Sequence, residues 1–313
     1  MAPKVKKKIV VPIDGSENGI KSLDYLRLMF GADHHMGVTL LYILPTLPPI
    51  LTDEKKKDKA IAQKLKVVEE KNVKMAEDIL LKAKNSLLDK GFKENQVKTV
   101  YRKKQIGIAR DICSWADGKR VDAVMISTRG RTRLQEYLIG EVSRRVMEYC
   151  PESPTWMLEP VVKKKGVLIG LDSSKGALRA VDHAGFMLSG TDCPITLFHT
   201  KGKLKSFVPA EILKEAPELE ALWKEVEGDQ ASPFIEKAKE MLLTAGIEDS
   251  RISVKILDGS GSAANDLKKA AKRYDCGTIV LGRRGLTGVK ELIMGSVSRK
   301  ILENFSGMAV WIV

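Results

Sequence analysis

Aromatic side chains are scarce in this 313-residue chain, at 5% of the total, and neither its cysteines nor its histidines fall at metal-binding spacing. So few aromatics argue against a protein that reads nucleic acid by stacking bases on rings. Cys113, Cys150, Cys193 and Cys276 are scattered without a C-x-x-C pair, a spacing that supports neither a zinc knuckle nor a disulfide framework. His34 and His35 are adjacent and His183 and His199 isolated, so there is no H-E-x-x-H pair and no structural metal is expected. The chain also lacks a G-x4-G-K-[ST] loop, a G-x-G-x-x-G turn after its first apolar run and a Ser-His-Asp set. Those absences exclude a Walker-type NTPase, a dinucleotide domain of the usual kind and a triad hydrolase. No apolar run approaches the roughly 20 residues that span a bilayer. The opening MAPKVKKK passes straight into IVVPI without a signal-peptide pattern, so the chain reads as cytoplasmic.

What is abundant is positive charge, a net +13, and it is uneven. Residues 1–160 hold 30 basic and 21 acidic side chains, whereas the rest hold 23 and 19. Much of the excess lies in Lys4, Lys6, Lys7 and Lys8, in residues 55–57 and in Arg102, Lys103 and Lys104. Discrete clusters of this kind read as solvated surface, and the alternative is attraction to nucleic acid, anionic lipid or an acidic partner.

The chain repeats itself. KKKIVVPIDGSENGIKSLDYL (residues 6–26) matches KKKGVLIGLDSSKGALRAVDHA (163–184), and VTLLYI (38–43) matches ITLFHT (195–200). QVKTVYR (96–102) matches RISVKIL (251–257), VDAVMIS (121–127) matches CGTIVLG (276–282), and Trp156 aligns with Trp311. The offset drifts only between 158 and 155 residues, the length of a domain rather than of a solenoid unit. Two domains follow, 1–162 and 163–313.

Within each half, short Val/Ile/Leu-rich runs alternate with helical periodicity. Near-continuous apolar runs suit strands covered on both faces, as in a parallel sheet. In the first half strands are expected at 9–13, 38–44, 97–101, 123–127 and 155–159. Helices are expected from Ser16 or Asn18 to Phe30, near 61–90, over 107–117 and near 140–149. The second half repeats this order, with a long helix near 233–245. Proline-bearing excursions at 45–59 and 201–230 leave the second strand of each half; either is a candidate lid or partner surface, or plain surface elaboration. The fold class is therefore α/β, with two tandem open parallel five-stranded sheets flanked by helices. Only about five residues link the halves, and each half ends in an apolar strand. Pairing those fifth strands as an internal pseudo-dimer would remove two exposed edges.

The chemistry concentrates near the C-terminus. LGRRGLTGVKELIMGSVSRK places Gly282, Gly285, Gly295 and Ser296 in a G-x2-G-x9-G-S pattern directly after an apolar strand. Small residues there let backbone N–H groups approach a ligand, and the helix opening at Ser296 favours an anion. Two donor clusters, with hydroxyls from Ser296 and Ser298 and charge from Arg283 and Arg284, could clamp one polyphosphate. Parallel sheets bind ligands beyond the C-terminal ends of their strands. Asp172, after VLIGL, reaches that edge and suits ribose hydroxyls, while the backbone around Thr200 could meet a base. Together these positions describe a nucleotide site, with no catalytic base and at most a lone carboxylate for Mg²⁺.

The segment GRRGLTGVKELIMGSVS, preceded by VLIGLDSS and ITLFHT, resembles the ATP-binding branch of the universal stress protein family, and the resemblance covers nearly the whole chain as two tandem domains. It implies an adenine nucleotide alpha-hydrolase-like (Rossmann-like) sheet paired through its fifth strand. It also implies ATP, with or without Mg²⁺, held by Gly170, Asp172, Thr200, Gly282, Arg283, Gly285, Gly295, Ser296, Val297 and Ser298. The first half keeps Asp14, Gly130, Gly140 and Ser143 but has Ser127 for Gly282 and Glu141 for Ser296. A carboxylate at that helix start would satisfy the N–H groups meant for phosphate and repel a polyanion. Arg129, Arg131 and Arg133 offer partial compensation. The implied function is ATP binding in stress response or signalling, mainly through the second half. The rivals are a protein-interaction scaffold and a weak Mg-dependent ATPase. A homodimer or a protein partner is compatible with either; membrane and nucleic acid are not expected partners.

Overall fold

The computed structural model describes residues 6–31, 35–128, 140–202, 204, 208–285 and 294–313. The first half runs β1 (Lys7–Pro12), α1 (Glu17–Lys21), α2 (Asp24–Phe30), β2 (Met36–Leu44), α3 (Pro49–Lys57), α4 (Lys59–Asp89), β3 (Val97–Lys103), α5 (Ile108–Lys119), β4 (Ala123–Ser127), α6 (Glu141–Tyr149) and β5 (Thr155–Leu158). The second runs β6 (Gly166–Leu171), α7 (Lys175–Leu188), β7 (Ile195–Lys201), α8 (Ala210–Glu215), α9 (Glu218–Thr244), β8 (Ile252–Asp258), α10 (Ala263–Arg273), β9 (Cys276–Leu281), α11 (Ser296–Leu302) and β10 (Ala309–Ile312). Within each half every strand is separated from the next by one or two helices, as in a Rossmann-like α/β fold. Among the described residues no helix is long and apolar enough to cross a membrane.

Two compact units emerge, Met1–Arg27 with His35–Thr155, and Leu28–His34 with Trp156–Val313. In the first unit the strand order is β3-β2-β1-β4, with parallel pairing. In the second it is β5-β10-β9-β6-β7-β8, and the five strands from β10 to β8 are parallel. By compactness Trp156–Leu158 of β5 falls with the second unit: all four residues of β5 are buried, and β5 and β10, the last strands of the two halves, are hydrogen-bonded neighbours.

The aromatic core of the second unit forms there. Trp156 and Trp311, both fully buried, stack with ring centroids 4.0 Å apart and planes 4° from parallel. Phe30 stacks on Trp156 at 6.0 Å, and His183 of α7 meets both indoles edge-on. The Trp156 indole N–H donates to His183 Nε2 at 3.0 Å, so that nitrogen carries no proton. Burial pushes the His183 pKa down to about 3.

Helix boundaries differ from expectation where polar residues decide them. The first helix breaks at Ser22, whose hydroxyl donates to Gly19 O at 2.7 Å and ends α1 there. Pro233 was read as a helix start, yet α9 runs through it from Glu218. Residues 210–215 are also helical, and the Trp223 indole N–H donates to Gly202 O, tying α9 to the end of β7. The proline-rich excursion of the first half likewise holds α3. Asp58 caps α4 by accepting from the N–H groups of Ala60 and Ile61.

The cysteine expectation is also corrected: Cys113 and Cys150 form a disulfide. They stand 37 residues apart in sequence, but α5 packs on α6 and brings their Cα atoms to 5.1 Å. Spacing along the chain carries no trace of that meeting. Cys193 and Cys276 are free and buried, and burial raises both thiol pKa values.

Two outcomes follow. His183 takes up a proton more readily unfolded, near pH 6.5, than folded, so its contribution is complete above about pH 6.5 and declines as pH falls toward 3. The loss reaches up to about 1.4 kcal/mol per pH unit. Unfolding midpoints measured from pH 7 to 4 should fall less steeply for His183→Gln, which keeps an acceptor for Trp156 without titrating. Reducing Cys113–Cys150 should cost the first unit roughly 3–4 kcal/mol by the loop-closure argument. Calorimetry with and without dithiothreitol should show one transition moving and the transition of the second unit unchanged.

Candidate functional site

At the end of β6 the chain turns through Asp172 and Ser173, the latter left-handed at φ 58°. Asp172 Oδ1 accepts the Ser174 N–H at 3.2 Å, and Ser174 Oγ accepts the Ala177 N–H at 3.1 Å, capping α7. His199, on the neighbouring β7, bonds through Nδ1 to Leu171 O at 3.0 Å and so fixes the strand end beside Asp172.

The loop after β9 folds against the same corner. A Cβ built on Gly285 would stand 2.3 Å from Asp172 Oδ2, so any other residue there would push that carboxylate aside. A Cβ on Gly282 would come within 2.5 Å of the Gly176 carbonyl carbon, and one on Gly176 within 2.2 Å of Arg284 O. Loop and first turn of α7 therefore touch backbone to backbone. The Gly295 N–H donates to Arg283 O at 2.8 Å, and Ser298 Oγ donates to Gly282 O at 3.0 Å. Those two bonds bring the flanks of residues 286–293 together; the segment between them lies outside the described residues.

Asp172, Gly282, Arg283, Gly285, Gly295 and Ser298 are thus brought into one cluster. Arg283 is buried, and its N–H donates to Val313 O at 2.6 Å. Ser296 is exposed at the start of α11 and Val297 half-buried. Ser298 is buried, with its proton committed to Gly282 O, so its placement is that of a clasp. Gly170 faces away from the cluster's chemistry: a Cβ there would meet Leu281 and Leu267 side chains at 2.6 and 3.0 Å. Thr200 stands one strand over, half-buried and opposite Leu257. Beyond Asp172, the helix starts at the corner carry basic residues. Neither α7 nor α11 has an acid in its first turn, while Lys175, Arg284, Arg299 and Lys300 lie in or beside those turns.

The first half reproduces the frame closely. Asp14 Oδ1 accepts from Ser16 N–H at 2.9 Å, and Ser16 Oγ from Gly19 N–H at 3.0 Å. Gly140 N–H donates to Thr128 O at 3.0 Å, and Ser143 Oγ to Ser127 O at 2.9 Å. The electrostatics differ, because the first turns of α1 and α6 carry Glu17 and Glu141. Glu141 does not turn back over the helix start; it reaches Arg145 at 2.6 Å with its side chain 70% exposed. Glu17 pairs with Lys21 in the same way. Gly130, Arg129, Arg131 and Arg133 lie outside the described residues.

Sequence reasoning missed Gly176 and Glu17, and it missed the bonds by which Ser143 and Ser298 close their loops. A signal existed for the serines, since Ser143 persists where the glycine pattern is damaged. Also unnoticed were Asp111 and Asp266, 155 residues apart: Asp111 accepts the N–H groups of Gln105 and Ile106, and Asp266 accepts the N–H and hydroxyl of Ser260, each from the loop before its own helix.

Removing the clasp with Ser298→Ala should cost about 1–2 kcal/mol by leaving Gly282 O without its buried donor. Gly282→Ala should cost a similar or larger amount, about 1–3 kcal/mol, by forcing the loop off α7. Chemical denaturation of both variants checks this, and unchanged midpoints would contradict it.

The pattern that defines the universal stress protein family matches the chain twice, over residues 6–156 and 164–313. Universal stress protein YxiE of Bacillus subtilis (strain 168) is 26% identical over 144 residues, covering 43% of this chain and 89% of that protein. Universal stress protein MJ0531 of Methanocaldococcus jannaschii is 26% identical over 148 residues, 46% of this chain and 79% of that protein. A solved universal stress protein from Archaeoglobus fulgidus DSM 4304 aligns over 98% of both chains with a TM-score of 0.64 at 18% identity, a likeness of fold. With both halves matched and the fold shared from end to end, the chain belongs to the universal stress protein family as a tandem of two such domains.

Proposed function

We propose that residues 163–313 form a domain that binds ATP, that residues 1–162 form its degenerate counterpart, and that the chain acts in stress response or signalling without a dedicated reaction. One observation carries the reading: the glycine loop lies against Asp172 at a corner whose two helix starts are free of acids. Backbone N–H groups at Gly285 and in the first turn of α11 from Ser296, with Arg284 beside them, suit phosphates. Asp172 Oδ2, the oxygen not engaged by Ser174, suits ribose hydroxyls, and the backbone near Thr200 suits a base. A non-glycine residue held left-handed at Ser173 fits a corner shaped for a ligand.

Mg²⁺ is the other group implied. Among the described residues no three metal-ligating side chains cluster, and Asp172 is the one carboxylate at the corner that the reading uses. A magnesium ion here would ride on the nucleotide phosphates, with Asp172 as a single protein ligand. Its chemistry would be to neutralise phosphate charge; the chain's own residues orient the nucleotide.

The scaffold reading keeps one observation of its own. Leu219, Leu222 and Val226 follow one face of α9 and are 37%, 55% and 43% exposed. That stripe could seat a partner whether or not nucleotide is bound.

Isothermal titration of the full chain with ATP and Mg²⁺ tests the proposal. Ser296→Glu places the first half's carboxylate at the second half's helix start. It should weaken ATP binding at this site at least tenfold while leaving the unfolding midpoint unchanged. A wild-type chain whose ATP binding ignores this substitution would overturn the assignment.

A further inference from the structure

The first unit carries a second concave feature, away from the corner just described. A groove of about 420 Å³ opens between the turn after β1, at Gly15, and one face of α4, where Lys71, Lys74, Met75, Ile79 and Lys82 line it. Asp78 is the single acid on its wall. The residues follow helical spacing, so they form one stripe beside the core stripe of Ala76, Leu80, Ala83 and Leu87. Among the described residues none of the three lysines is held in an ion pair, whereas Lys66, Lys84 and Lys90 on the same or the following turns are.

The duplication makes this stripe informative. Ile235, Ala238 and Leu242 bury in α9 as Leu80, Ala83 and Leu87 do in α4, at an offset of 155 residues. The same offset sets Val226, Asp229, Gln230, Phe234 and Lys237 opposite Lys71, Lys74, Met75, Ile79 and Lys82. A cationic face therefore exists in one copy alone. It also lies at the strand edge where parallel sheets take ligands, beside Asp14. An anion placed among the three lysines would be attracted by each of them.

We propose that this groove binds an organic polyphosphate of about nucleotide size. Its phosphates would sit among Lys71, Lys74 and Lys82, and its ring or chain would lie on Met75 and Ile79. The volume falls within the range of small-molecule sites, and three free cations against one carboxylate set the sign. The charge comes from the helix α4, so neither Ser127 nor Glu141 in the glycine loop decides binding.

The test uses the full chain with ATP as the probe and a surface variant that leaves the core untouched. Titration of wild type should show two ATP molecules per chain. Lys71→Glu/Lys74→Glu/Lys82→Glu should remove one, weakening it at least tenfold, and should leave the site sensitive to Ser296→Glu unchanged. Inorganic pyrophosphate should bind the groove at least tenfold more weakly than ATP, since it lacks a body to cover Met75 and Ile79. If wild type binds one ATP that the lysine substitutions do not touch, the groove proposal falls and the second-half site stands. If the one ATP is lost with the lysines and not with Ser296→Glu, the reverse holds. No ATP binding at all, or pyrophosphate binding as tightly as ATP, also overturns it.

Discussion

In each half the helix after the fourth strand is tied back to that strand by two hydrogen bonds, a glycine N–H to a loop carbonyl and a serine hydroxyl to the carbonyl one residue earlier. Everything at the ligand edge depends on this closure. It brings together the two ends of a long excursion, sets where the helix begins, and so fixes which backbone N–H groups face outward. Because both partners belong to the protein, the closure forms without a ligand. The same bonds survive in the half whose glycine pattern is damaged, which separates what builds the corner from what the corner holds.

That separation explains how one chain can carry two corners of different character. The frame asks for an aspartate and a serine after the first strand, a glycine before the last helix and a serine two positions inside it. A phosphate-bearing ligand would ask for something else: backbone that can come close and helix starts without acids. Gly282 and Gly176 meet the first need in the second half by letting the loop touch a helix turn directly. In the first half Glu17 and Glu141 place carboxylates in the first turns of α1 and α6, each drawn toward a neighbouring cation at the surface. An exposed pair of that sort contributes little to stability, so its effect is on what may approach.

Much of the fold was legible because parallel strands buried on both faces leave unbroken apolar runs, and the repeat showed each run twice. The strands came out within a few residues of expectation for that reason. Helices governed by polar detail did not. Ser22 ends α1 by a local hydroxyl bond, and Pro233 sits inside α9 although proline usually opens or breaks a helix. At the site, the glycines and Asp172 were legible as a pattern, but their meeting is a matter of packing. Gly176 has no motif to mark it, and Cys113 finds Cys150 only because two helices cross. A helix start read in isolation also shows nothing of the partners that packing gives Ser298 and Glu141, Gly282 O and Arg145.

One feature of the first unit reaches beyond the binding question. The helix α4 has 31 residues, about 46 Å of rise, while the longest strand it accompanies, β2, has nine residues and spans about 30 Å. Its buried positions gather from Ala76 onward, with Leu65 alone before them, and Val67 and Val68 face solvent. The helix therefore outruns the surface that stabilises it. Its last turns are held by the core and its first turns by Leu65, by α3 packed against α4 and by the Asp58 cap, so the helix is anchored unevenly along its length.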